Sequence, residues 1–343
     1  RVAEIAAIAY NDGDYDTAIK AYEYLTQIES INSSLFINSK KALLRAKKNK
    51  VILSYDYELY ELDTITAEYK TFINSFGINS QTEQIVKEYA DFQALYKNDL
   101  LGAIEVLKEL TASNSISRSV KANSKISMGD YYLMTGEIWE ATLLYSQVEK
   151  SNKEGYIGET ARFRNAMLSY YAGKFEWAQE KFSILKTATS KLISNDAIDM
   201  SIFIMDNIGL DTTDVPLKMF SEAELLTVQN KFDEAFIKLD SISILFPEHS
   251  LEDDIIYQKA ELHMRLKNTD KAIELYTVVY ENYPEEIRAD NALFKAAEIF
   301  HNQLKDLDQA KSLYEKLFID FSNSTFAIEA RKRYRILRGD DIQ

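Results

Sequence analysis

Apolar and polar positions in this 343-residue chain recur with a long, regular period. The clearest copies are Ala223-Glu224-Leu225, Ala260-Glu261-Leu262 and Ala297-Glu298-Ile299, each with an aromatic three residues before its alanine: Phe220, Tyr257 and Phe294. Downstream of each lies a second signature, a short turn, then an alanine, then a large residue four positions later. These are Ala235 with Leu239, Ala272 with Tyr276, and Ala310 with Tyr314. A small residue and a large one, one helical turn apart, suit two helices packed closely as a hairpin. The units stop at Phe246-Pro247, Tyr283-Pro284 and Phe321-Ser322; in the first two, proline cannot continue the helical hydrogen-bond ladder. One unit therefore reads helix, turn, helix, stop.

Weaker copies lie upstream. Gly13 to Ala18 with Tyr22 is one, Gly129, Tyr132, Gly136, Ile138, Ala141 and Tyr145 a second, Gly173, Phe175, Ala178 and Phe182 a third, and Asp99 to Leu107 around Ala103 a fourth. The long interval between Ala18 and Ala103 has room for one hairpin without the signature, with helices predicted over Ser34 to Lys48 and Val51 to Phe76. Between Ala178 and Ala235 the surplus residues read as an added apolar helix, Ala197 to Ile208, followed by Gly209-Leu210-Asp211-Thr212-Thr213-Asp214-Val215-Pro216. Self-similarity at such a period is the mark of a stacked repeat array. The prediction is an all-α fold, a right-handed superhelical solenoid of antiparallel helix hairpins with about eight repeats. It divides into an N-terminal array over 1–208 with a degenerate repeat near 34–76, a linker or hinge at 209–216, and a regular C-terminal array over 217–343 with a terminal capping helix.

The pattern Gly129, Tyr132, Gly136, Ala141 and Tyr145 resembles the tetratricopeptide repeat, and the likeness covers most of the chain outside 30–95 and 190–215. Phe246-Pro247 with Ser250, Asp253 and Asp254, then Tyr283-Pro284 with Ala289, Asp290 and Asn291, is similar to the form of the repeat in bacterial cell-envelope proteins. Those are the outer-membrane assembly lipoprotein and the Tol-Pal coordinator types. The resemblance implies a periplasmic or outer-membrane-associated scaffold that binds other proteins, a peptide or helix in its groove or a larger assembly. The last unit departs from it at Ser322, and no cysteine is present to accept lipid. Alternatives are a cytoplasmic adaptor or co-chaperone on the same repeats, and an all-α superhelical glycan-active enzyme with two opposed inward carboxylates.

In such an array the first helices line the concave groove. On that mapping Phe92, Tyr96, Asp130, Met134, Phe163, Met167, Tyr170 and Tyr171 line its N-terminal part, and Glu224, Tyr257, Glu261, Phe294 and Glu298 its C-terminal part. Aromatics and methionine beside acids suit a partner segment with apolar anchors and some basic residues. The competing reading packs the aromatics between repeats and leaves the glutamates solvated.

Composition narrows the chemistry. Hydrophobic residues make up 46%, enough for a sizeable core, and 10 Gly with 3 Pro are too few for a turn-rich β fold. Forty basic against 54 acidic residues, a formal charge of −14, disfavour nucleic acid and anionic membranes as partners. Two local exceptions are the basic runs Lys40, Lys41, Arg45, Lys47, Lys48, Lys50 and Arg331, Lys332, Arg333, Arg335, Arg338, read first as solvated helix faces. Without cysteine there is no disulfide, thiolate nucleophile or cysteine-ligated zinc. No apolar run is long enough to cross a bilayer. His249, His263 and His301 form no helical metal pair, although His263 and His301 fall on first helices of adjacent hairpins. No phosphate-loop, nucleophile-elbow or dinucleotide fingerprint occurs. Arg338-Gly339-Asp340 reads as a helix end with Gly just past it. The expectation is a non-enzyme with no cofactor, metal or small-molecule substrate. The sequence opens at Arg1 inside a helical pattern, which is expected of a fragment or processed form whose targeting segment or anchor lies upstream.

Overall fold

The computed structural model describes residues 1–31, 33–54, 57–208 and 213–340. Among the described residues there are eighteen α-helices and no strand. They fall into two compact units, Arg1–Val148 and Glu149 onward. This division lies inside a helix, whereas the break expected at 209–216 falls within the second unit. Of that expected hinge, residues 209–212 lie outside the described residues, and Val215 already opens a helix.

The first unit carries α1 (Val2–Asn11), α2 (Tyr15–Ile28), α3 (Ser34–Ile52), α4 (Leu59–Phe76), α5 (Glu83–Tyr96), α6 (Leu100–Ala112), α7 (Arg118–Thr135) and most of α8 (Ile138–Ser151). Several helices start where the sequence supplies a cap. The side chains of Asp14, Ser33, Asp99 and Ser117 accept from backbone N–H groups three residues on, and Glu61 reaches back to the N–H of Glu58. Gly136 ends α7 at φ 91°, in the left-handed region where a Cβ is penalised. The degenerate hairpin differs from expectation at both inner ends. α3 runs on to Ile52, because Asn49 to Ile52 continue its periodicity, and α4 begins only at Leu59.

The basic run of α3 acts within this unit. Arg45 donates to both oxygens of Glu88 on α5 at 2.9–3.0 Å from Nε and 2.6 Å from Nη2. Lys47 pairs with Glu68 on α4 at 2.9 Å and Glu23 on α2 at 3.3 Å, and Lys50 with Asp16 on α2 at 2.5 Å. One cationic helix thus staples three neighbours, and the bidentate, half-buried Arg45 pair is the strongest of these contacts.

The second unit continues with α9 (Tyr156–Tyr171), α10 (Phe175–Leu185), α11 (Lys191–Ile208), α12 (Val215–Val228), α13 (Phe232–Leu245), α14 (Glu252–Arg265), α15 (Thr269–Asn282), α16 (Ala289–Ile299), α17 (Leu307–Asp320) and α18 (Ala327–Arg338). α12–α13, α14–α15 and α16–α17 are the three regular hairpins, and α18 packs on α17 as the terminal cap. The added helix α11 starts six residues before the expected Ala197. The packing alanines 18, 103, 141, 178, 235, 272 and 310 are all 0% exposed, as close helix approach requires. One residue is gained between the last two hairpins: α14 and α16 start 37 positions apart, at 252 and 289, while α15 and α17 start 38 apart, at 269 and 307. A π-helical turn, Phe300–Leu304, lies in that interval and takes up the extra residue without breaking register.

Candidate functional site

The first-helix acids singled out by the repeat are not free in the fold. Asp130 on α7 accepts from the Tyr145 hydroxyl of α8 at 2.7 Å. Glu261 on α14 accepts from the Tyr276 hydroxyl of α15 at 2.5 Å. In the last hairpin Arg333 of α18 joins the pair, its Nη1 donating to Glu298 Oε1 at 2.9 Å and to the Tyr314 hydroxyl oxygen at 3.0 Å. Its guanidinium also lies over the Phe294 ring at 5.1 Å and the Tyr314 ring at 5.7 Å. The rule is an acid on the first helix and a tyrosine 15 residues later on the second, lengthened to 16 where the π turn intervenes. Charge-assisted bonds of this kind, half-buried between helices, lock each hairpin.

Glu224 is the exception. The residue 15 positions on is Leu239, which is buried and has no donor. The hydroxyl that acts on Glu224 is that of Tyr170, on α9 of the preceding hairpin. Tyr170 is 0% exposed, and neither its hydroxyl nor Glu224 Oε2 completes a hydrogen bond of good geometry. The Tyr170 hydroxyl is pushed well above its ordinary value by burial and by the neighbouring Glu224. Burial pushes the Glu224 carboxyl up to about 7, opposed by Tyr170 and Arg288.

Arg288, in the turn before α16, sits beside this pair. Its Nε donates to Asp254 Oδ1 at 3.0 Å, and its guanidinium lies 5.4 Å from the Phe203 ring centre and 5.3 Å from that of Tyr257. Asp254 Oδ2 accepts from Asn207 Nδ2 at 3.5 Å, and Asn207 Oδ1 accepts from Ser250 Oγ at 2.7 Å. Burial raises the pKa of Asp254, opposed by Arg288, and raises that of the adjacent Asp253 to about 7. Asp199 on α11 is also raised, by burial first, with Arg288 lowering and Asp290 raising it.

The other predicted groove residues divide by burial. Phe92, Tyr170 and Phe294 are interior: Phe92 packs among α4 and α5 side chains, and Phe294 stacks on Phe326 at 4.7 Å. For these three the expected groove exposure is corrected, since the space between hairpins is wide enough to need a ring. Tyr96, Met134, Phe163, Met167, Tyr171 and Tyr257 are partly exposed yet packed against the same cores, with Phe163 reaching Phe182 at 5.5 Å. Asp130, Glu224, Glu261 and Glu298 remain partly exposed. Sequence reasoning missed Arg288, Asp254, Asn207 and Phe203, which meet only through helices far apart in the chain; Leu239 in a tyrosine position was the visible signal.

Histidines 263 and 301 lie apart in chemistry: His263 packs on Phe236 at 5.0 Å and His301 on Tyr314 at 5.9 Å. Among the described residues no group of three or more His, Cys, Asp or Glu is placed to hold a metal ion, and no helix is long and apolar enough to cross a membrane. The second basic run is engaged locally. Arg333 also pairs with Glu329 at 2.8 Å, Arg331 covers the Phe318 ring, and Arg335 and Arg338 both pair with Asp340.

The family model described as Tetratricopeptide repeat matches residues 254–286 and 291–324. Among solved structures, the chain is similar to a tetratricopeptide repeat protein from Parabacteroides merdae ATCC 43184, at 12% identity and TM-score 0.45 over 85% of this chain and 95% of that one. It is also similar to a Rap protein complexed with Competence and Sporulation Factor, at 14% identity and TM-score 0.37 over 98% and 96%. A third is a human IFIT1 dimer with m7Gppp-AAAA, at 12% and 0.35 over 96% and 69%. No curated protein matches the chain. The helix pairs α14–α15 and α16–α17 are thus the part of the chain that matches the tetratricopeptide repeat.

Proposed function

We propose that this chain is a non-catalytic scaffold that binds other proteins along the first helices of its hairpins. The observation that carries the reading is the pair of tetratricopeptide repeats at 254–324 together with a row of partly exposed first-helix acids, Glu224, Glu261 and Glu298. Repeats of this kind present an extended face built from successive first helices, and aromatics beside acids suit a segment with apolar anchors and basic residues. The proposed setting is a bacterial cell-envelope assembly, periplasmic or outer-membrane-associated; support comes from the aromatic-Pro stops Phe246-Pro247 and Tyr283-Pro284.

The test is affinity capture with the intact protein from solubilised membranes and, separately, from soluble extract, followed by cross-linking of the captured partner. Cross-links to α12, α14 and α16 from an envelope protein support both parts of the reading. Partners found only in the soluble extract remove the envelope setting and favour the adaptor alternative; the absence of any saturable protein partner removes the scaffold itself.

A further inference from the structure

Two helices of the second unit stand outside its hairpins. α11 packs on α10 and α18 on α17, and among the described residues neither is followed by a second helix of its own. Each leaves one face exposed. On α11 the exposed residues Leu192, Asp196, Asp199, Ile202 and Asp206 recur at helical spacing and form one stripe. On α18 the stripe is Ile328, Arg331, Lys332, Arg335 and Ile336. Both stripes frame charges between two aliphatic side chains, and the charges have opposite sign.

The repeat shows what the cations replace. At a shift of 38, Ala327 and Ala330 of α18 correspond to Ala289 and Ala292 of α16, and all four are buried. Arg331, Lys332 and Arg335 then stand where α16 has the buried Leu293, Phe294 and Ala297. A second helix of ordinary apolar character cannot settle on that face, whereas an acidic one can. Local partners do not neutralise it. Arg335 and Arg338 share the one carboxylate of Asp340, Arg331 lies over the Phe318 ring at 5.3 Å, and Lys332 has no ion-pair partner among the described residues. On α11, Arg164 acts on Asp196, while Asp199 and Asp206 have no ion-pair partner among the described residues. Arg288, the cation acting on Asp199, is held by Asp254 at 3.0 Å, and Asp290 adds to the same negative region.

We propose that the α11 stripe of one copy of this chain docks on the α18 stripe of another, each helix serving as the second helix that the other lacks. The acids of α11 meet Arg331, Lys332 and Arg335, with Leu192 and Ile202 against Ile328 and Ile336. An α18–α18 contact would set cations against cations and an α11–α11 contact acids against acids, so only the mixed contact is complementary. A two-fold pairing makes it twice and closes at a dimer. The stripes span only about 12–15 Å, at roughly 1.5 Å per residue, which suits a weak, salt-sensitive association.

Sedimentation equilibrium of the purified intact protein tests this. The expected result is a dimer at about 0.05 M salt that dissociates at about 0.5 M, because exposed ion pairs are screened. Arg331→Glu/Lys332→Glu/Arg335→Glu and Asp199→Lys/Asp206→Lys are each expected to weaken self-association about tenfold or more. Mixed in equal amounts, the two variants are expected to recover a dimer, since each reversed stripe then meets the opposite charge. Ile328→Ser, at a position 85% exposed within one copy, is expected to weaken the dimer with every charge in place. Thermal melts check that the variants fold. A monomer at every salt concentration, self-association that neither reversal moves, or no recovery on mixing overturns the inference. None of these outcomes bears on the scaffold reading, whose test is the capture of a different protein.

Discussion

Replacing Glu224 by Gln keeps the side chain's shape and removes one titration, so the variant isolates the energetic consequence of burying that acid. Burial pushes the folded carboxyl to about 7, opposed by the Tyr170 hydroxyl and Arg288 and reinforced by Asp254. The unfolded chain titrates near the ordinary value of about 4.3. A folded pKa above the unfolded one means that the folded state binds the proton more tightly. The contribution to stability is therefore fully present below the unfolded value and is lost as pH rises to about 7. Just under three pH units at roughly 1.4 kcal/mol each set an upper bound near 4 kcal/mol. Partial solvent contact of Glu224 reduces this to about 1–3 kcal/mol. Asp253 shifts in the same direction, so the unmodified protein slopes for more than one reason, and only the difference between the two proteins reports Glu224. Urea denaturation across pH 4 to 8 measures it. Glu224→Gln is expected to gain about 1–3 kcal/mol over the parent between the low and the high end of that range. Parallel stability curves would refute the claim that burial dominates the protonation of this carboxylate.

Other consequences follow from single contacts. A Cβ at Gly129 would stand 2.4 Å from the Tyr145 ring, so Gly129→Ala is expected to lose up to about 2 kcal/mol in denaturation. That is overpacking of roughly 1–3 offset by a helix-propensity gain of roughly 1; adding Tyr145→Leu, the combination Ala223 and Leu239 already shows, should restore part of it. Tyr276→Phe takes the donor from Glu261 and should cost about 1–3 kcal/mol in the same assay. Arg333→Met unclamps Glu298 and Tyr314, and hydrogen exchange should speed in α18 before it changes in α14.

The hairpins were legible because close helix packing leaves a local trace: an alanine that must be small and a large residue one turn later. All seven such alanines proved fully buried. The degenerate pair α3–α4 lacked that trace, and its inner ends were misplaced, with Lys50 and the residues after it extending α3 to hold Asp16. The acid ladder was visible as a row of glutamates, but its chemistry was not. Asp130 and Glu261 are settled by a tyrosine 15 residues away, and Glu298 by Arg333, about a repeat away, as Arg288 settles Asp254 outside the ladder. Periodicity within one helix carries no record of such partners. The interior rings Phe92, Tyr170 and Phe294 were placed in a groove for the same reason, since a first-helix position does not say which side of the ring the next hairpin covers.

The measurement that bears most directly on the scaffold reading is hydrogen exchange of the intact protein with and without a captured protein partner. Protection concentrated on the first helices α12, α14 and α16, with the second helices α13, α15 and α17 unchanged, is the predicted result. Protection confined to the second helices, or none anywhere at saturating partner, would contradict it.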